Sequence, residues 1–72
     1  MIPEIGATYK NSKNGRLYEV TGLGKHSETL EDFVIYKALY GGEFPEGQIW
    51  CRPLSNWESL RQGQTRFEKV SS

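Results

Sequence analysis

Apolar and polar residues alternate along most of this chain, and turn residues interrupt the alternation every few positions. A period of two broken in this way predicts short β-strands. Ala7 to Lys10 reads as a first, brief strand. Asn11-Ser12-Lys13-Asn14-Gly15 follows, and its Asn-Gly pair supplies positive φ at little cost, which predicts a hairpin. Leu17 to Leu23 returns as a second strand, with Tyr18 and Val20 on one face and Glu19 and Thr21 on the other. Gly22 and Gly24 then interrupt it, as glycine does at a bulge or a sharp bend. Lys25 to Glu31 is a polar connector in which Thr29 and Asp32 have capping-box spacing, enough for one helical turn.

Phe33-Val34-Ile35-Tyr36-Lys37-Ala38-Leu39-Tyr40 is the strongest strand in the chain. One face carries Phe33, Ile35 and Leu39 around Lys37; the other carries Val34, Tyr36, Ala38 and Tyr40. A strand with one face in water does not need two apolar faces. Either it bends so that each half turns a different face inward, as in a small barrel, or a partner chain or ligand covers one face. Gly41-Gly42 and Pro45-Glu46-Gly47 mark a loop. Gln48 to Arg52 is a fourth strand, with Ile49 and Cys51 opposing Trp50 and Arg52. The alternation assigns Cys51 to the core beside Ile49, where a buried thiol is an inert small hydrophobe. Pro53 ends the ladder by removing a donor. Ser55-Asn56-Trp57-Glu58 is a capping box with Ser55 as N-cap; Leu54 is placed to clamp Trp57 or Leu60, and Gly63 stands at a C-cap position. Thr65 to Val70 closes the chain as a fifth strand with Phe67 inward. The expectation is a mainly β, single-domain chain over residues 1–72, with a core spanning about residues 7–70. Its architecture is a small five-stranded, SH3-like curled barrel with one short helical turn before the last strand. An OB-like barrel fits less well, because it needs a longer chain and a helix between the third and fourth strands.

Composition narrows the function classes. With one cysteine and one histidine in 72 residues, the chain holds no internal disulfide and no self-contained zinc site, which takes about four ligands. No metal and no cofactor is expected. Below roughly 70–80 residues a core needs a staple or a partner, so the chain is either well packed for its size or an oligomer. The N-terminus has no basic region followed by an apolar run, and no stretch approaches the roughly 18 apolar residues of a membrane helix. A lone cysteine without an export signal fits a reducing cytosol, so the expectation is a cytoplasmic protein with no membrane partner.

Lys plus Arg and Asp plus Glu are each 9, so the net charge is zero. Zero charge argues against a protein that wraps nucleic acid, though single-strand binding through a local patch stays open. The charge is also sorted. In residues 1–25, Lys10, Lys13, Arg16 and Lys25 against Glu4 and Glu19 give +2. In residues 26–46, Lys37 against Glu28, Glu31, Asp32, Glu43 and Glu46 gives −4. In residues 47–72, Arg52, Arg61, Arg66 and Lys69 against Glu58 and Glu68 give +2. Such a dipolar surface steers charged ligands or sets the register of self-association; it is also what solvated loops produce.

Three constellations carry candidate chemistry. His26 and Ser27 are adjacent, and adjacent residues in an extended chain point apart, so they do not make a nucleophile and its base. His26 could meet Cys51 across strands with Glu28 orienting the ring, or it could simply pin its loop by hydrogen bonds. Glu28, Glu31 and Asp32 form an acidic cluster, suited to acid/base work if buried and to turn capping if not. Arg52 shares a strand face with Trp50, with Tyr36, Tyr40 and Trp57 among the nearby rings. An arginine beside a tryptophan stacks and still presents donors to a carboxylate or phosphate. A ring-lined groove of this kind suits a base, a nucleotide or an acidic peptide, unless the rings simply make the core.

The stretch Gly15 to Glu31, continuing into Val34-Ile35-Tyr36-Lys37-Ala38-Leu39-Tyr40, then Ile49-Trp50-Cys51-Arg52-Pro53-Leu54, Trp57 and Arg66-Phe67, resembles a family of short bacterial domains of unknown function. The family pattern has G-x-Y-x-V-x-G, H-S-E-T-x-E, V-x-Y, a leucine-tyrosine pair, W-x-R-P and a later aromatic, and the resemblance spans about residues 9–67, with Gly15 one residue farther from Tyr18 than in that pattern. The family often has Phe where this chain has Trp57, and the Gly41–Gly47 loop is longer here. The resemblance implies a compact β-rich domain and no established activity. It draws attention to His26, Ser27, Glu28, Thr29, Glu31, Tyr36, Trp50, Arg52 and Pro53, several of them polar loop residues that packing alone does not explain.

The function these features favour is a non-enzymatic binding module for a small anionic or planar ligand, or a peptide. Its expected site is the loop residues His26, Ser27, Glu28 and Glu31 meeting Trp50 and Arg52, with Tyr36 or Tyr40 as a stacking ring. The alternatives are a homodimer associating through residues 33–40, and a small enzyme using Cys51 or Glu28 with His26.

Overall fold

Strands form where the alternation runs and break where glycine, proline and asparagine interrupt it. The structure, a computed structural model, describes residues 3–58, 60–61 and 63–71, with backbone only at Leu60, Arg61, Gln64 and Ser71. Its elements in chain order are β1 (Thr8–Asn11), β2 (Leu17–Lys25), β3 (Asp32–Ala38), β4 (Ile49–Pro53), α1 (Leu54–Glu58), β5 (Leu60–Arg61), β6 (Gln64–Thr65) and β7 (Phe67–Ser71). Five of them form one antiparallel sheet in the order β4-β3-β2-β1-β7, and β5 and β6 make a separate small hairpin.

The first hairpin turns as its residues dictate. Gly15 takes φ 73°, and the side chains of Asn11 and Asn14 each accept a backbone N–H two residues on, from Lys13 and Arg16, at 2.8 Å. In β2 the register shifts between Val20 and Gly22, so Thr21 is an extra residue bulged beside the glycine.

β3 uses one face for the core. Val34, Tyr36 and Ala38 are buried, while Phe33, Ile35 and Lys37 on the other face are half-buried. The core is one cluster on that inner face: Ala7, Tyr9, Tyr18, Val20, Val34, Tyr36, Ala38, Trp57 and Phe67. Its centre is aromatic. The Trp57 and Phe67 rings stack with centroids 3.8 Å apart, and Tyr36 meets both edge-on.

Four expectations change. The sheet is not closed into a barrel: β4 and β7 are its two edges. Between them lie α1 and the β5–β6 hairpin, and Trp57 of α1 fills the inner face by stacking on Phe67. The phase of β4 is the reverse of the one expected, for Cys51 is exposed and Ile49 is 53% exposed. The register explains this: Tyr36 pairs with Trp50 and Val34 with Arg52, and paired residues point to the same side of a sheet. Trp50 and Arg52 therefore face the core side and Cys51 faces away. Gly63 caps no helix; at φ 80° it turns the β5–β6 hairpin, where Arg61 pairs with Gln64. α1 starts at Leu54, one residue before the expected N-cap Ser55. The Leu60 side chain and Ser72 lie outside the described residues.

Candidate functional site

Arg52 is the best-held polar side chain of the inner face. It is on edge strand β4, and its aliphatic stem runs over the aromatic core. Its Nε donates to the Tyr36 hydroxyl at 3.0 Å and its Nη1 to Asn56 Oδ1 at 2.8 Å. Its guanidinium carbon lies 5.0 Å from the Phe67 ring centroid and 5.9 Å from that of Tyr36. The local sequence makes this possible. Pro53 ends β4, α1 begins at once, and Asn56 lands one helical turn beyond the arginine. A guanidinium has five N–H groups. Two are used here, and three remain to face outward.

Arg52 lines a cavity of about 190 Å³ together with Asn11, Ser12, Lys13 and Arg66. The β1–β2 turn forms one wall. Pairing of β1 with β7, with Asn11 opposite Phe67, brings Arg66 beside it. Ser12 ties the two together, since its N–H and its hydroxyl both donate to the Arg66 carbonyl, at 2.8 and 3.1 Å. Asn11 Oδ1 is occupied by the Lys13 N–H, which leaves the Asn11 amide N–H₂ as the free end. The lining thus carries three cationic side chains and no carboxylate. The chemistry of such a lining suits an anionic group.

Two tyrosines of neighbouring segments are hydrogen-bonded to each other. The Tyr18 and Tyr40 hydroxyls are 2.6 Å apart, and Arg16 lies over the Tyr40 ring at 4.5 Å. Burial, reinforced by the bond to Tyr40, pushes the Tyr18 phenol up to about 12.

The His26–Glu31 loop is built by its own hydrogen bonds. His26 N–H donates to the Glu31 carbonyl, and Leu30 N–H to the His26 carbonyl, both at 2.8 Å. His26 Nδ1 accepts the N–H groups of Glu28 and Thr29, each at 3.2 Å. The imidazole thus does the work of an N-cap side chain on a single turn. Leu30 closes it at φ 64°, Thr29 Oγ1 accepts from Glu31 N–H at 3.3 Å, and Lys25 pairs with Asp32 at 2.7 Å. With Nδ1 accepting, the proton sits on Nε2, a tautomer assigned from these bonds.

The expected site residues therefore fall into two groups. Tyr36 and Arg52 are bonded to each other, and Trp50 shares their face. His26 packs on Phe33, 6.0 Å between centroids, on the opposite face of the sheet. There it lines a second cavity, of about 230 Å³, with Gly24, Lys25, Phe33, Ile35 and Cys51. Ser27, Glu28 and Glu31 are exposed on the same loop. The cavity that Arg52 lines does not include His26, and the one that His26 lines does not include Arg52. The site residues that the sequence reading missed are Asn11, Ser12, Lys13 and Arg66. The only signal was the basic excess at both chain ends, and the Asn-rich turn was legible only as a turn.

Among the described residues no three potential metal ligands gather, and no helix is long and apolar enough to cross a membrane. Searches of curated proteins and of solved structures gave no match. Residues 8–69 match the family described as "Protein of unknown function (DUF1653)", and the chain belongs to that family.

Proposed function

We propose that this protein is a non-enzymatic binding module whose anchor for an anionic group is Arg52. One observation carries the reading: a guanidinium fixed by Tyr36, Asn56 and the Phe67 ring lines one cup with Lys13 and Arg66, and among the described residues no carboxylate lines it. Pre-orientation lowers the entropic cost of capturing a ligand. The planar fork favours a group with two or three acceptor oxygens. In this reading the His26–Glu31 loop selects nothing at the cup, because it lies on the other face.

Calorimetric titration of the 72-residue chain with inorganic phosphate and with citrate tests the reading. Arg52→Lys keeps the charge and loses the fork, and should weaken binding by roughly tenfold or more, in line with about 1.5–3 kcal/mol for hydrogen bonds to charged groups. Arg52→Met should abolish it. Binding unchanged in Arg52→Met, or no binding of either anion to the wild type, sinks the proposal.

A second reading is association of two copies through the outer face of β3 and β4. It is favoured by the exposure of Ile49, Leu17 and Leu39 there, with Cys51 and half-buried Phe33 and Ile35 between them. β3 lies between β2 and β4, so its backbone edges are occupied and only side chains are available for contact. Light scattering coupled to size exclusion decides this: a strict monomer at high concentration removes the dimer.

A further inference from the structure

We infer that the anion held at Arg52 is the phosphoryl group of a nucleotide unit whose base lies against Trp50. This rests on the reading of the cup as an anion site.

Size comes first. The cup encloses about 190 Å³ between polar and cationic side chains. That lining suits a charged head and offers no ring face or apolar wall to a base, so the planar part of the ligand lies outside. Charge comes second. Lys13, Arg52 and Arg66 bring three positive charges to one cavity. A phosphoryl head carries about −1.5 to −2 at neutral pH with three acceptor oxygens, and uses more of that field than a carboxylate would.

The third argument is what borders Arg52. Trp50 is two residues back on the same face of β4, about 7 Å away at strand rise, and only half-buried. That spacing is of the order of the phosphate-to-base separation within one nucleotide. Phe44 meets Trp50 edge-on, 5.1 Å between centroids at 88°. Phe44 itself is 48% exposed and does not belong to the buried cluster. An exposed phenylalanine propping a tryptophan beside an arginine makes a stacking platform, and stacking is sequence-tolerant because every base has a π-face. On the far side of Tyr18, Arg16 over Tyr40 supplies another cation and ring. Glu43 and Glu46 flank Phe44 in the sequence and disfavour negative charge laid along the rings, which suits an uncharged base there with its phosphoryl group in the cup.

Shared chemistry comes from two sources, a free mononucleotide or a single strand, and the test separates them. The full chain is titrated with inorganic phosphate, ribose 5-phosphate, adenosine 5′-monophosphate, a short oligodeoxyadenylate and a polyglutamate peptide, following tryptophan fluorescence and heat. The mononucleotide should bind about tenfold or more tighter than ribose 5-phosphate, within the range seen for base stacking, and should quench fluorescence. Trp50→Leu should bring the mononucleotide down to the affinity of ribose 5-phosphate and leave phosphate binding unchanged. If Trp50→Leu does not fold, Phe44→Ala should lose part of the same difference. An oligonucleotide tighter than the mononucleotide identifies a strand, and equal affinity identifies a free nucleotide; both uphold the nucleotide unit. Equal affinity for mononucleotide and ribose 5-phosphate, with phosphate still bound, overturns it and leaves the anion module standing. A preference for polyglutamate overturns it in favour of an acidic peptide. No binding of phosphate by the wild type removes the anion module itself.

Discussion

Replacing Tyr36 by Phe removes one oxygen and keeps the ring, which isolates the strut beneath Arg52. The ring's edge contacts, 5.3 Å to Tyr18 and 5.3 Å to Trp57, survive the change. What is lost is the 3.0 Å bond from Arg52 Nε. Hydrogen bonds to charged groups contribute about 1.5–3 kcal/mol when buried. Arg52 is half-exposed, so water recovers part of that and about 1–1.5 kcal/mol is expected. A chain of 72 residues at about 2.1 cal/mol/K per residue has an unfolding entropy near 150 cal/mol/K, so Tm should fall by roughly 7–10 °C. Phosphate affinity should fall as well, by about three- to tenfold, because a guanidinium held only by Asn56 must be ordered by the ligand. The assay is thermal unfolding by circular dichroism beside calorimetric titration, extended to a double-mutant cycle with Arg52→Met. A coupling of about 1 kcal/mol is expected. Zero coupling, or a Tyr36→Phe variant as stable and as tightly binding as wild type, refutes the strut.

Three other outcomes are expected. Tyr18 has its phenol raised from 10.0 to about 12. A group raised on folding contributes stability that is whole below the unfolded value and lost as pH climbs through the folded one. Urea unfolding should therefore show wild-type stability falling between about pH 10 and pH 12 by about 1–2 kcal/mol more than in Tyr18→Phe, with screening by nearby water already discounted; parallel curves contradict this. His26→Ala removes an acceptor for two backbone donors and should cost about 1 kcal/mol, with His26→Asn recovering most of it as a better N-cap; chemical denaturation of the three proteins decides. Cys51 should be alkylated by iodoacetamide in the native protein at nearly the rate of the unfolded chain, and Cys51→Ser should change stability by less than about 0.5 kcal/mol; protection of the thiol would restore the buried assignment.

What the chain discloses depends on whether local chemistry or register decides. Asn14-Gly15 dictates its hairpin, Gly22 its bulge, and the inward Phe67 follows from alternation alone. β4 is different. Hydropathy favours Ile49 with Cys51 as the inner pair over Trp50 with Arg52. Pairing of Tyr36 with Trp50 selects the second, and the Arg52 head is tolerated inside because Tyr36 and Asn56 bond it. The β5–β6 hairpin was missed because two-residue strands carry no period. At the site, Arg52 with Trp50 and Tyr36 was legible from alternation on two strands. Lys13 and Arg66 were not, since they meet only through the β1–β7 pairing, which joins the ends of the chain.

The zero net charge and the cationic cup fit together once the pairs are followed. Of five lysines, four sit near carboxylates: Lys10 with Glu68, Lys25 with Asp32, Lys37 with Glu19 and Lys69 with Glu4. Exposed pairs of this kind contribute little stability. Their effect is to remove long-range field from the rest of the surface. Lys13, the fifth, has no carboxylate partner among the described residues and lines the cup with Arg52 and Arg66. The acidic surplus of residues 26–46 falls on the two loops, around Glu28 to Asp32 and Glu43 to Glu46, and not in that lining. Three cationic side chains are thus gathered at one small cavity, and screening beyond roughly 8–10 Å at physiological salt keeps their reach short. On the reading proposed above, a neutral chain built in this way offers an anionic group one point of capture without a net charge.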